Sequence, residues 1–112
     1  FLTLETGRAV AFMMDDALLY GEMAKAKKPA DWIVTGTAQS KEAYGCMLRK
    51  DDQGFKKVVD AALTKALTSG DAEKIYAKWF LNPIPPKGLN LNMPLSDEMK
   101  AAFKAPNDKA FE

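Results

Sequence analysis

Histidine is missing from the chain altogether. Its absence removes the commonest general base, and with it any Ser–His or Cys–His nucleophilic pair. Cysteine occurs once, at Cys46. No disulfide can close within the chain, and no cysteine cluster can hold a metal. Apolar runs are short, and none approaches the roughly 20 consecutive residues of a membrane-spanning helix. Neither sign of charge is in excess: 16 basic residues face 15 acidic ones, for a net charge of +1. That balance gives no long-range field for nucleic acid or for an anionic bilayer. There is no phosphate-binding glycine loop and no GxGxxG fingerprint. These absences argue against an enzyme, and no cofactor or metal is expected.

What is present is the balance of a soluble globular protein, with 47% hydrophobic and 28% charged residues. The length of 112 residues suits one ordinary domain or a piece of a larger one. The opening, Phe1 to Gly7, reads as the last turns of a helix closing on a glycine cap. A start inside a helix leads us to expect further residues upstream.

Arg8-Ala9-Val10-Ala11-Phe12-Met13-Met14 is a short apolar run ending at Asp15-Asp16. Its length and its place after a glycine predict a buried strand. Alanine, leucine and lysine from Ala17 to Lys28 predict a helix closed by Pro29. Lys25, Lys27 and Lys28 at its end suit a solvated, dipole-complementing helix terminus. Trp32-Ile33-Val34 is a second strand candidate. Thr35 to Glu42 is small and polar and reads as a connector. Ala43 to Arg49 is a third strand candidate, with Cys46 as a small buried hydrophobe.

The clearest helix follows. Phe55, Val58, Val59, Ala62, Leu63, Ala66 and Leu67 form one apolar stripe at a period near 3.6. A break at Ser69-Gly70-Asp71 leads to a shorter helix. Its aromatic face (Ile75, Tyr76, Trp79, Phe80) serves either a lobe core or a stacking platform. Asn82 to Gly88, with three prolines, cannot be helix interior or central strand. A capped helix is expected from Ser96, with Met99 and Phe103 four apart, and the residues after it are expected to be loosely held. Alternating strands and helices predict an α/β architecture with a largely parallel sheet. Three strands make a thin sheet, which again suggests partner strands outside the chain.

Two carboxylate pairs stand out. Asp51-Asp52 sits before the long helix as an N-cap. Asp15-Asp16 sits where a buried strand gives way to a helix, the place where open α/β sheets bind ligands. A carboxylate there would suit an ammonium group, or it would cap the helix. Both readings are open, and the two aspartates could divide the roles.

The segment Leu4-Glu5-Thr6-Gly7-Arg8 through Asp15-Asp16-Ala17-Leu18-Leu19 resembles the second-lobe segment of glutamate/aspartate periplasmic binding proteins of bacterial ABC importers. Ala43 to Asp52 resembles their return strand, and Lys78-Trp79-Phe80-Leu81-Asn82-Pro83-Ile84-Pro85-Pro86-Lys87 their chain end. Ser96 to Lys100 extends the likeness, which covers essentially the whole chain. It implies a C-terminal portion of a two-lobed type II periplasmic-binding-protein fold, incomplete without the N-terminal half. Residues 1–35 would end the second lobe, 36–42 would cross a hinge, 43–81 would return to the first lobe and 82–112 would form the tail. It implies that Asp15, with Asp16 as runner-up, receives the α-amino group of glutamate or aspartate. The residues for the ligand's carboxylates would lie upstream. It further implies a periplasmic location, delivery to ABC permease subunits, and a disulfide from Cys46 to a cysteine in the N-terminal half. Alone, the chain would associate with that half or with itself. Gly54, in the first turn of the long helix, departs from the pattern and weakens that turn slightly. The same fold also carries cyclohexadienyl dehydratase-like enzymes and sensory amino-acid-binding domains, the alternative reading.

Overall fold

A computed structural model describes residues 1–109, so the last three residues of the expected 82–112 tail lie outside the described residues. Among the described residues, five α-helices follow in order: α1 (Leu2–Glu5), α2 (Asp16–Lys25), α3 (Gln53–Thr68), α4 (Asp71–Phe80) and α5 (Asp97–Lys104). A 3₁₀ turn at Pro29–Asp31 lies between α2 and α3. The chain divides into two compact units. One holds Phe1–Gly36 and Ala77–Pro94, and the other holds Thr37–Tyr76 and the residues from Leu95 onward.

In the first unit, α1 ends as its sequence predicts. Gly7, at φ +71°, lets its own N–H donate to the Leu4 carbonyl (2.9 Å) and the Arg8 N–H to the Thr3 carbonyl (3.0 Å). This paired closure is a Schellman motif, which needs a residue that tolerates a left-handed backbone. The α2 helix stops at Lys25, short of the expected Lys28. Ala26 is already extended, and Lys28 is held out of the helical region by the ring of Pro29. The Phe1 and Trp32 rings meet at 5.0 Å between centroids, tilted by 60°.

The proline-containing segment after α4 is more ordered than an extended turn. Asn82 donates its side-chain amide to the Ala77 carbonyl (2.8 Å), and Asn90 donates to the Leu81 carbonyl (3.0 Å). The Met93 N–H reaches the Phe80 carbonyl at 3.1 Å. The Phe80 carbonyl, which the end of α4 would leave unpaired, is thereby satisfied, while the Ala77 carbonyl also accepts from the Leu81 N–H at 3.1 Å. Between them, Ile84 and Leu89 form an isolated antiparallel bridge.

In the second unit the apolar stripe forms α3 as predicted, and Asp52 accepts from the Phe55 N–H at 2.9 Å. Gly70, at φ +85°, separates α3 from α4. Ser96 caps α5 by accepting from the Met99 N–H at 3.1 Å. α5 packs on α3. Lys56 bonds to Asp60 and to Asp108 of the tail (2.8 Å), and Lys41 bonds to Glu98 of α5 (3.1 Å). Each carboxylate partner of Lys56 raises the ammonium's pKa above the ordinary lysine value, Asp108 most.

Two features of the structure differ from expectation. None of the three strand candidates, 8–14, 32–34 and 43–49, forms a strand among the described residues. A strand exists only as one side of a hydrogen-bonded pair, and these segments do not pair with one another. Cys46 is a free, exposed thiol rather than a buried hydrophobe, because the run that carries it is uncovered. No described residue is buried. The chain exposes 9530 Å² in all. A folded 12.3 kDa monomer would expose about 6,100 Å², and two separate bodies of half that mass about 7,400 Å². The aromatic face of α4 shares this condition: Tyr76 and Phe80 are half-buried, while Ile75 and Trp79 are exposed.

Candidate functional site

The Asp15-Asp16 pair occupies the N-terminus of α2. Asp15 has the non-helical backbone of an N-cap (φ −52°, ψ 136°). Its carbonyl accepts the first helical bonds, from the N–H groups of Leu18 (3.1 Å) and Leu19 (3.0 Å). Its carboxylate does not make the capping hydrogen bond. Asp16, the first helical residue, does the local work instead: its carboxylate accepts from the Ala17 N–H at 2.7 Å. Asp16 thus bonds to the backbone of the helix, and Asp15 occupies the N-cap position. Both aspartates lie at the N-terminal end of α2.

The far end of α2 is fixed electrostatically. Lys25 donates to Glu22 at 2.7 Å, and this hydrogen bond holds the Glu22 carboxyl below its ordinary pKa. The arrangement complements the dipole, as the lysine-rich helix end predicts.

Shallow concavities occur elsewhere. One is lined by Arg49, Lys50, Asp51 and Asp52. Another lies between the end of α3 and α5, with Leu67, Thr68, Glu73 and Phe103 among its walls. Neither includes Asp15 or Asp16, and both are open, exposed hollows rather than enclosed ligand cavities. Among the described residues no three acidic or cysteine side chains gather as a metal-binding group. No helix among them is long and apolar enough to cross a membrane. What the sequence reading did not find is the pair of asparagines, Asn82 and Asn90, that closes α4. Their spacing from the helix end is the only local signal of that role.

No protein-family profile matches the chain. Individual relatives do. An L-glutamate/L-aspartate-binding protein of Pseudomonas aeruginosa is 68% identical over 112 residues, which is all of this chain and 37% of the relative. A glutamate/aspartate import solute-binding protein of Salmonella typhimurium is 70% identical over 110 residues, 98% of this chain and 36% of the relative. An ABC transporter glutamine-binding protein of Bacillus subtilis is 34% identical over 79 residues, 70% of this chain and 28% of the relative. The chain therefore spans little more than a third of the length of the glutamate/aspartate-binding relatives. At this identity across essentially its whole length, the chain belongs to the glutamate/aspartate solute-binding protein family.

Proposed function

We propose that this chain is part of a periplasmic receptor that captures glutamate or aspartate between two lobes and passes it to an ABC importer in the membrane. The observation that carries the reading is the 68–70% identity to proteins named for binding or importing those two amino acids. Within it, Asp15 is the anchor for the ligand's α-amino group, with Asp16 as the runner-up. The place of Asp15 supports this choice, since it ends the apolar run and stands directly before α2. A carboxylate facing an ammonium makes charge-assisted hydrogen bonds. Removing it from a closed site strands a buried charge, at a cost of about 3–5 kcal/mol.

The likeness to a glutamine-binding protein over a shorter stretch fits the same assignment. Glutamine and glutamate share the α-amino group and differ in the side chain, so an anchor for the former is one that both kinds of receptor can use. In this reading the lobes have the type II periplasmic-binding-protein fold, residues 36–42 cross the hinge, and residues 8–14, 32–34 and 43–49 are strands of its sheets. Groups for the ligand's carboxylates come from parts of the receptor with no counterpart here.

The test is a chimera in which this chain replaces the matching portion of the P. aeruginosa relative. Calorimetry should find glutamate and aspartate bound at micromolar concentration or below. Asp15→Ala should weaken both at least a hundredfold, and Asp16→Ala less than tenfold. Normal binding by Asp15→Ala, with loss in Asp16→Ala, would transfer the anchor to Asp16.

A further inference from the structure

After Pro94 the chain passes into the second compact unit, and there it is tied at several points. Glu98, in the first turn of α5, accepts from Lys41 at 3.1 Å. The body of α5 packs on α3. Beyond its end, Asp108 accepts from Lys56 at 2.8 Å. The two acids that open α5 are used differently. Asp97 pairs within the helix, with Lys100 three residues on (3.1 Å). Glu98 reaches a lysine 57 positions away. That lysine lies in a segment with little to hold it. Residues 37–42 form neither helix nor strand, and each is exposed. Gly36, immediately before them, has a left-handed backbone (φ +105°), and the two compact units divide between Gly36 and Thr37. Side-chain hydrogen bonds within the segment are local: Gln39 donates to the Thr37 carbonyl (2.8 Å) and Ser40 to Glu42 (3.5 Å). Bonds that span two positions shape a turn without attaching it to anything else. The Lys41–Glu98 bond does attach it, to a helix that is itself fastened to α3.

We propose that α5 is a strap on the hinge: Glu98 pins Lys41, restrains residues 37–42 in the unliganded receptor, and so strengthens its hold on glutamate or aspartate. This rests on the receptor reading above, in which residues 36–42 cross between the lobes. The sign follows from entropy. Closing two lobes on a ligand orders the segment that joins them, and that ordering opposes binding. A crossing that is already pinned has less freedom to lose, so the restraint favours the liganded state. The size follows from exposure. The side chains of Lys41 and Glu98 are 60% and 76% exposed, and a pair in water changes an equilibrium by about fivefold at most. The strap is therefore a fine adjustment of affinity, acting at a distance in sequence from the aspartates that begin α2.

The experiment uses the chimera described above. Glu98→Gln and Lys41→Gln should each speed the release of glutamate about two- to fivefold in stopped-flow dissociation. Each should also lower the backbone order parameters of residues 37–42 in the unliganded protein, read by NMR relaxation. The exchanged pair, Lys41→Glu with Glu98→Lys, should recover at least half of each change. Asp97→Asn removes a charge from the same helical turn but not the bond to Lys41. It should leave both readouts unchanged, which separates the strap from the stability of α5. Salt at 1 M, where screening is strong, should bring the parent's release rate towards that of Glu98→Gln. Release rates and order parameters that match the parent in both single variants overturn the proposal. So does an Asp97→Asn effect equal to that of Glu98→Gln, or an exchanged pair that recovers nothing. A chimera that binds neither amino acid, yet loses order at 37–42 in both single variants, overturns the receptor reading and supports the restraint. A chimera that binds both, with release unmoved by either variant, overturns the strap and supports the receptor reading.

Discussion

At the scale of single residues, the chain twice places two aspartates before a helix, and in each case the pair divides. At the second pair, Asp52 caps α3 through its bond to the Phe55 N–H, while no capping contact falls to Asp51. Loss of such a cap costs about 1 kcal/mol. Asp52→Ala in the chimera should therefore lower stability by about that amount in urea denaturation. Asp51→Ala should stay within about 0.5 kcal/mol of the parent, as an exposed substitution away from such features does. Equal effects would mean that the helix dipole, and not the hydrogen bond, carries the stabilisation. That a cap exists at Asp51-Asp52 is legible in the residue types. Which aspartate supplies it is not, because neighbouring carboxylates differ only in the backbone angles that aim them. At Asp15-Asp16 the outcome was the less familiar one, with the first helical residue bonding to its neighbour's N–H.

At the scale of elements, whatever depends on near neighbours in sequence was readable. The α3 stripe, the Gly7 closure, the Gly70 break and the Ser96 cap all rest on contacts within about five residues. The strands were not formed, because their partners are not local and these three segments do not serve one another. The docking of the tail was missed for the same reason. Lys56 and Asp108 are 52 positions apart, and Lys41 and Glu98 are 57 apart, separations at which composition says nothing about pairing. This docking has a pH dependence with a definite sign. The hydrogen bond from Lys56, reinforced by its charge, holds the Asp108 carboxyl below its ordinary value. Its contribution is complete at neutral pH and is lost as the pH falls through and below the ordinary aspartate range, near pH ~4. Lys56 is shifted upward, so its contribution is complete below the ordinary lysine value and lost only at still higher pH. Amide protection of residues 105–109, taken relative to the intrinsic exchange rate at each pH, should therefore be flat across neutral pH and fall in acid. Asp108→Asn should remove that acid step and leave exchange in α3 unchanged. Concentrated salt should act in the same direction as acid, since the pair is exposed and screening is strong at 1 M. An acid step that survives Asp108→Asn would show that Asp108 is not its source; Asp60, Asp71, Asp97 and Glu98 are the other described carboxylates paired to lysines in this unit.

At the scale of the whole molecule, helices without a buried residue amount to secondary structure without a core. Helical stability in proteins comes mostly from packing an amphipathic face, and here the faces are formed but only partly covered: Phe55 and Val58 of α3 remain more than half exposed although α5 lies against that helix. The consequence can be measured. The sensitivity of unfolding to denaturant scales with the area newly exposed. A fully unfolded chain of this mass would expose about 17,800 Å². Starting from 9530 Å², unfolding exposes only about 0.7 times as much new surface as it would from a compact fold of the same mass. Urea unfolding of the isolated chain at high dilution should be correspondingly shallow. At higher concentration the midpoint should rise with protein concentration, because association supplies the missing cover. In the chimera the same residues should unfold in one steep, concentration-independent transition. A steep and concentration-independent transition in the isolated chain would mean that 112 residues suffice for a core, and that the apolar runs at 10–14 and 43–49 need no partner.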